Sequence, residues 1–251
     1  MADMKYSKFL IGTIIKLTVF LVLCIGARFG FVFAQSPINK IAPFVFAVLL
    51  TCLFLFYVEG NKRSFLSKGY MVENIVTGGA WGIGTAVISP VLFLLLGDVA
   101  IVGFPSGFDP RESVYAVMAS SLFLSVVIFG YFFHIIQYDF GAIPAVVLSS
   151  VVFAVLMGML RFGSAEGIMA FDEYIASAVA YIPMGVVAGM LILNFGDMRS
   201  AVAFLSLNEL TQILANGCIT MENVAAERFM IELVIMIVSI ISLLISLRKR
   251  D

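Results

Sequence analysis

Long apolar stretches separated by short polar breaks run through the whole chain. Eight of them can be delimited, at residues 9–33, 42–59, 72–97, 115–138, 142–160, 173–194, 200–216 and 229–247. A helix needs about 20 mostly apolar residues to cross a bilayer, whereas the strands of a membrane barrel alternate apolar and polar residues. The pattern therefore predicts an all-α, polytopic membrane helical bundle with about eight transmembrane helices.

The breaks between the segments carry residues that end helices. Residues 36–40 read SPINK, residues 59–63 read EGNKR, and residues 103–110 read GFPSGFDP. Such clusters of glycine, proline and short polar residues are typical of connections. Because no repeat, low-complexity tract or change of composition divides the chain, residues 1–251 are expected to form a single integral-membrane domain.

The composition excludes the soluble classes of protein. Hydrophobic residues make up 62% of the chain and charged residues 12%, and the mean hydropathy is +1.10. A soluble protein of this size needs roughly a quarter of its residues charged to cover its surface. A soluble enzyme, a nucleic-acid-binding protein and a disordered protein are therefore excluded, and the lipid bilayer is the expected environment. No feature of the sequence implies a cofactor.

Lysine and arginine are distributed unequally between the two sides of such a bundle. With eight spans, the side that holds both termini has nine of these residues and the other side five, counting Arg28. Because cytoplasmic loops are enriched in Lys and Arg, we expect a cell-membrane protein with both termini in the cytoplasm. Residues 32–34 read VFA and resemble a signal-peptidase site, but Lys16 interrupts the apolar run. The first segment is therefore interpreted as a retained helix.

Small residues indicate where helices approach each other closely. Residues 78–84 in the third segment read GGAWGIG, and Gly185 and Gly189 in the sixth segment are four residues apart. In lipid, helix association depends on packing, and small residues let two backbones come together. The run lacks the Lys-Ser/Thr ending of a phosphate-binding loop. It is therefore expected to be a packing surface.

Polar side chains inside the apolar segments are the candidates for function, because burying them in lipid is costly. Lys16 lies in the first segment, and Asn208, Glu209 and Gln212 form the polar centre of the seventh. Asn208 and Gln212 are about one helical turn apart and should share a face. Glu209 is expected to be held inside the bundle by contacts with protein or water.

Metal chemistry finds little support in the sequence. The three cysteines follow no ligand spacing, and His134 is the only histidine, so no HExxH motif and no paired histidine exist. No metal site is expected. His134 and Asp139 lie near the cytoplasmic end of the fourth segment. The histidine is expected to be satisfied by a backbone carbonyl or a lipid headgroup.

Four stretches of the sequence can be compared with those of a known family. They are the glycine-rich run at 78–97, FGYFFHIIQYDFG at 129–141, AVVLSSVVFAVLM at 145–157, and residues 189–212. In their order and texture they resemble the CPBP family, the CAAX prenyl protease and bacteriocin-processing intramembrane proteases. The resemblance implies an eight-helix membrane protein with a cavity open to the cytoplasm. It also implies a glutamate that activates water, and histidines and an asparagine that stabilise the oxyanion.

The chain departs from the family at the catalytic positions. Ser125 and Val126 fall on the paired glutamates of the EExxxR motif, and Met157 falls on the histidine of FxxxH. Asn208 and Gln212 fall on the histidine and asparagine of HxxxN. Losing a general base costs roughly 10²-fold to 10⁴-fold in rate, and losing an oxyanion donor costs about 10²-fold more. No catalytic residue is therefore assigned.

The resulting hypothesis is a non-proteolytic, CPBP-like membrane protein that serves as a binding or scaffold subunit. Its partner would be another integral membrane protein or a membrane-anchored peptide. The candidate cavity and binding residues are Ser125, Met157, Asn208, Glu209 and Gln212. The same polar residues could instead simply join helix to helix.

Two alternatives from other functional classes stay open at this point. One is an active intramembrane protease that uses the replacement residues His134, Asp139 and Glu209, although no paired spacing supports it. The other is a small-molecule-binding subunit of a transporter, in which Asn208 and Glu209 bind the solute and the glycine-rich third helix allows motion.

Overall fold

The computed structural model describes residues 2–33, 41–59, 70–96, 99–104, 108–162, 171–219 and 225–248. Within these ranges the chain forms eight helices, and each expected apolar segment coincides with one of them, so the all-α prediction is confirmed. Outside the helices, Ile101 and Ile219 form an isolated antiparallel β-bridge. The helices are α1 Ala2–Phe33, α2 Ala42–Val58, α3 Met71–Leu96, α4 Pro110–Phe140, α5 Ala142–Phe162, α6 Phe171–Phe195, α7 Met198–Cys218 and α8 Ala225–Arg248.

Local sequence explains where these helices begin and end. Asp109 caps α4 and Asp197 caps α7, each accepting a hydrogen bond from the backbone N–H two residues later at 2.9 Å. A carboxylate at this position satisfies an N–H that has no partner within the helix. At the other end of α4, Gly141 adopts a φ of 95°, which a residue with a side chain rarely does. The tight turn from α4 into α5 therefore depends on glycine.

Two helices contain π-helical turns. The last turn of α2, Phe54–Val58, is π-helical, and so are two stretches of α4, Met118–Leu122 and Val126–Phe132. A π-helical turn shifts the backbone hydrogen bonds by one residue and is frequent at functional sites. No sequence signal predicted these turns.

Five of the helices are long and apolar enough to cross a membrane. They are α1, α3, α4, α6 and α8, through the apolar stretches Leu10–Ala27, Met71–Leu96, Pro110–Phe140, Ala178–Phe195 and Met230–Arg248. The apolar parts of α2 and α5 are shorter, and α7 does not meet the same standard because its centre is polar. Length and composition thus support a membrane protein with five candidate spans.

The helix α4 forms the centre of the bundle. Its side chains from Phe123 to Phe133 are buried, and Tyr131 packs against Phe20 of α1 and Phe54 of α2 with ring centroids 4.5 and 5.3 Å away. The helices α1 and α8 lie at the periphery and expose many large apolar side chains. Exposed apolar surface of this extent fits contact with lipid rather than water.

Glycines mark the tightest helix contacts, as the sequence predicted. A β-carbon at Gly78 would collide with the backbone of Ser200, and one at Gly82 would collide with the backbone of Phe204. In a second helix pair, a β-carbon at Gly185 would lie 2.7 Å from Cα of Ser150. The helices α3 and α7, and likewise α5 and α6, can pack this closely because these positions have no side chain.

Several of the basic residues that predict the membrane orientation lie outside the described residues. This applies to Lys40, Lys62, Arg63, Lys68, Lys249 and Arg250, and to most of the expected connections at residues 36–40 and 59–63. The cytoplasmic location of the termini stays a prediction.

Candidate functional site

Asn208 joins α7 to α3 in the interior of the bundle. Its side chain is fully buried, and its amide nitrogen donates to the carbonyl oxygen of Gly82 at 3.2 Å and to Oγ1 of Thr85 at 2.9 Å. Gln212 donates in turn to Oδ1 of Asn208 at 3.1 Å, so the two residues share a face as expected. The amide of Asn208 is thus used within the bundle, in the manner of a helix-joining polar residue.

Ser125 and Met157, two further matched catalytic positions, are also packed in the interior. Ser125 is fully buried and donates to the carbonyl oxygen of Leu122 in its own helix at 3.0 Å. Met157 is 3% exposed and belongs to the main hydrophobic core. A hydroxyl bonded to its own helix and a thioether cannot act as a general base. The binding role expected of these residues stays a prediction.

Glu209 is held by protein contacts, and that expectation is confirmed. Both of its carboxyl oxygens lie within hydrogen-bond distance of Oγ of Ser120, at 2.9 and 2.8 Å, and the Ser121 N–H donates to Oε2 at 3.2 Å. Ser120 and Ser121 lie in the first π-helical stretch of α4. One backbone N–H of this stretch thus contacts a side chain of another helix.

A small cavity of about 50 Å³ lies between α6, α7 and α8, and Gln212 and Glu232 are its polar lining residues. Pro183 of α6 also borders it. The volume suffices for a water molecule or two. The cavity therefore brings one predicted site residue, Gln212, beside a carboxyl group of α8.

His134 and Asp139 both lie on the last turns of α4 but make separate contacts. Nδ1 of His134 is 3.0 Å from the carbonyl oxygen of Phe129, and a carbonyl only accepts, so this nitrogen carries the hydrogen. That contact confirms the expected backbone partner. Asp139 instead accepts a hydrogen bond from Thr13 of α1 at 2.8 Å.

These residues do not converge on Glu209. His134 is fourteen positions beyond Ser120 on the same helix, which is about 21 Å along its axis. A catalytic base and its partner must lie within about 3 Å of each other. The described residues contain no cluster of three His, Cys, Asp or Glu side chains that could hold a metal ion.

Lys16 forms an ion pair that the sequence did not predict. Its Nζ lies 2.7 Å from Oε1 of Glu59 at the end of α2, and the hydroxyl of Tyr131 on α4 donates to the same oxygen at 3.2 Å. The side chain of Glu59 is only 6% exposed, whereas that of Lys16 is 36% exposed. The cluster links three helices, and it explains how a lysine is accommodated in an apolar segment.

A second buried carboxylate, Asp197, links the start of α7 to α3. It has no exposed surface, and its Oδ2 accepts from Nε of Arg199 at 2.7 Å and from the amide of Asn74 at 3.2 Å. The sequence carried a usable signal for it. A Gly196-Asp197 pair directly before an apolar segment is typical of a helix N-cap.

A wide apolar groove lies between α3 and α8. It has a volume of about 540 Å³ and contains Trp81, Gly84 and Thr85 on one side and Ser239 on the other. Thr85 donates to Trp81 O at 2.8 Å, and Ser239 donates to Ile235 O at 2.8 Å. Because these two hydroxyls bond within their own helices, the groove chiefly presents apolar contact surface.

Comparison of the chain with protein-family models, with curated proteins and with solved structures gives no significant match.

Proposed function

We propose that the chain is a non-proteolytic, CPBP-like integral membrane protein that acts as a binding or scaffold subunit. The partner is another integral membrane protein or a membrane-anchored peptide. In this proposal the eight helices all serve as spans, in a cell membrane, with both termini in the cytoplasm. The shorter helices α2 and α5 expose large apolar side chains such as Leu49 and Ile143, which suit contact with lipid. The polar α7 packs closely against α3.

The proposal rests on the contacts of the side chains at the positions that fall on the family's catalytic residues. Ser125 bonds to its own helix, Met157 fills the core, and Asn208 joins α7 to α3. Each performs a structural task that leaves no proton acceptor for water activation. These uses support a bundle that lacks the family's catalytic chemistry.

The groove between α3 and α8 supports a binding role. Its walls belong to two candidate spans, so an occupant must suit the apolar depth of a bilayer. Ala80 and Gly84 of α3 are four residues apart on the wall, the spacing that lets a second helix approach closely. We therefore assign the partner contact to a transmembrane helix in this groove.

The experiment is purification of the tagged chain from native membranes in mild detergent, with two matched variants. Gly84→Leu places a large side chain in the groove, and Gly12→Leu places the same side chain on α1. A β-carbon added at either glycine would have no neighbour within 4 Å, so both variants should fold. We expect a stoichiometric membrane partner with the wild type and with Gly12→Leu, and its loss with Gly84→Leu.

The outcomes separate the parts of the proposal. Equal recovery of a partner with both variants would remove the groove assignment but keep the scaffold function. Recovery of the chain alone under conditions that preserve other membrane complexes would overturn the scaffold function itself.

A further inference from the structure

The connection between α3 and α4 contains an exposed apolar segment. Residues 99–104 read VAIVGF, and no polar or charged side chain interrupts them. Ile101, Val102 and Phe104 are between 50% and 69% exposed. A connection that faces water normally carries polar side chains, whereas an exposed apolar patch marks contact with a partner or with a membrane.

The backbone of this segment pairs with the end of α7. Ile101 forms the β-bridge with Ile219, the residue that follows α7. The Val102 N–H donates to the carbonyl oxygen of Cys218, the last residue of α7, at 2.9 Å. The depth of the segment in the bundle is therefore that of the last residues of α7.

The register between α3 and α7 gives that depth. Gly78 of α3 lies against Ser200 of α7. Four residues later in both helices, Gly82 lies against Phe204, so the two helices run parallel. The last residue of each helix comes 18 residues after the first of these contacts, or about 27 Å further at 1.5 Å per residue. Leu96, the last residue of α3, therefore lies at about the same depth as the end of α7.

This depth is the boundary of the apolar layer. The exposed surface of α3 is apolar up to its end, since Leu95 and Leu96 are 79% and 69% exposed. Charged residues flank the segment in the sequence, with Asp98 before it and Asp109 and Arg111 after it. Irregular backbone does not occur against the hydrocarbon of a bilayer, because its polar groups need water or protein partners. An apolar segment between charged residues suits the interfacial layer next to the hydrocarbon.

We propose that residues 99–104 are a lipid-binding segment in the interfacial layer of the bilayer, with the side chains of Ile101, Val102 and Phe104 against acyl chains. Lipid is the occupant because the register places the segment where the apolar surface of α3 meets the headgroups. Through the bridge to Ile219, the segment holds the end of the polar α7 at the membrane surface. The proposal rests on the proposed membrane location of α3 and α4, and it does not depend on the partner of the scaffold function.

Tryptophan fluorescence of the full-length protein in phosphatidylcholine liposomes tests the proposal, because bromine atoms on acyl chains quench tryptophans that contact them. Trp81→Phe removes the single tryptophan of the chain, and Ile101→Trp then places one in the segment. Leu95→Trp is the matched control at the exposed end of α3. We expect brominated lipid to quench Ile101→Trp as strongly as Leu95→Trp. Bromine near the headgroup should quench Ile101→Trp more than bromine near the chain end.

The control separates the segment from the membrane location. Quenching of Leu95→Trp without quenching of Ile101→Trp would overturn the lipid-binding segment and keep α3 in the membrane, and quenching of neither would overturn both. Stronger quenching of Ile101→Trp by bromine near the chain end would overturn the interfacial location. If Ile101→Trp fails to fold, Phe104→Trp exchanges one exposed aromatic ring for another, and the same loss of emission is expected from it.

Discussion

The close contact between α3 and α7 makes Gly82→Ala the sharpest test of the fold. A β-carbon there would collide with the carbonyl oxygen of Phe204 and would lie 3.1 Å from the backbone nitrogen of Asn208. Both are backbone atoms, so neither can rotate away as a side chain would. The two helices must therefore move apart to accept a single methyl group.

The expected cost follows from the contacts that this movement disturbs. Overpacking of this kind costs about 1–3 kcal/mol. The Asn208 amide would also be pulled from Gly82 O and Thr85 Oγ1, now 3.2 and 2.9 Å away, at about 0.6 kcal/mol for each interhelical bond. The better helix propensity of alanine offsets up to about 1 kcal/mol of this loss of stability. We expect a net loss of about 1–3 kcal/mol in the free energy of unfolding.

The matched control is Gly84→Ala, two residues further along α3. A β-carbon at Gly84 has no neighbour within 4 Å, so this variant makes the same chemical change without the collision. Its stability should equal that of the wild type or exceed it by up to about 1 kcal/mol.

Unfolding in mixed micelles with increasing sodium dodecyl sulphate measures both variants. Trp81 is the single tryptophan of the chain and directly precedes Gly82, so its fluorescence reports on this contact. Equal free energies of unfolding for Gly82→Ala and Gly84→Ala would refute the argument that glycine is needed for the approach of α7.

Three further predictions concern the ion pair, the topology and the chemistry. Glu59→Gln should lower the free energy of unfolding by about 1–3 kcal/mol, less than the value of about 3–5 kcal/mol for a fully buried pair, because Lys16 is 36% exposed. In the same assay, Lys16→Met should lower the free energy of unfolding less in the Glu59→Gln background than in the wild type. If the effects of the two substitutions simply add, Lys16 and Glu59 do not interact directly. A cysteine placed near Asp251 in a cysteine-free background should resist an impermeant thiol reagent on intact cells, whereas labelling there would reverse the orientation. Finally, the reconstituted protein should not cleave a panel of membrane-anchored peptides, with or without zinc, and turnover abolished by substituting His134 or Glu209 would revive the protease alternative.

The sequence by itself determined the helical composition of this protein and the approximate position of each helix. Long apolar runs and their polar breaks predicted eight helices, and eight are found in the described residues. The glycines of the third segment predicted close packing because only a missing side chain permits it. Asn208 and Gln212 were placed on one face by helical periodicity alone, and the hydrogen bond between them confirms this.

The tertiary structure decided which helix is central and which polar groups meet. Hydrocarbon tails and a protein core are equally apolar, so composition could not distinguish the buried α4 from the peripheral α1 and α8. The pairing of Lys16 with Glu59, which are 43 residues apart, and of Ser120 with Glu209, which are 89 apart, depends on how the helices are arranged. Such contacts have no local sequence pattern, because their partners are chosen by three-dimensional packing rather than by neighbouring residues.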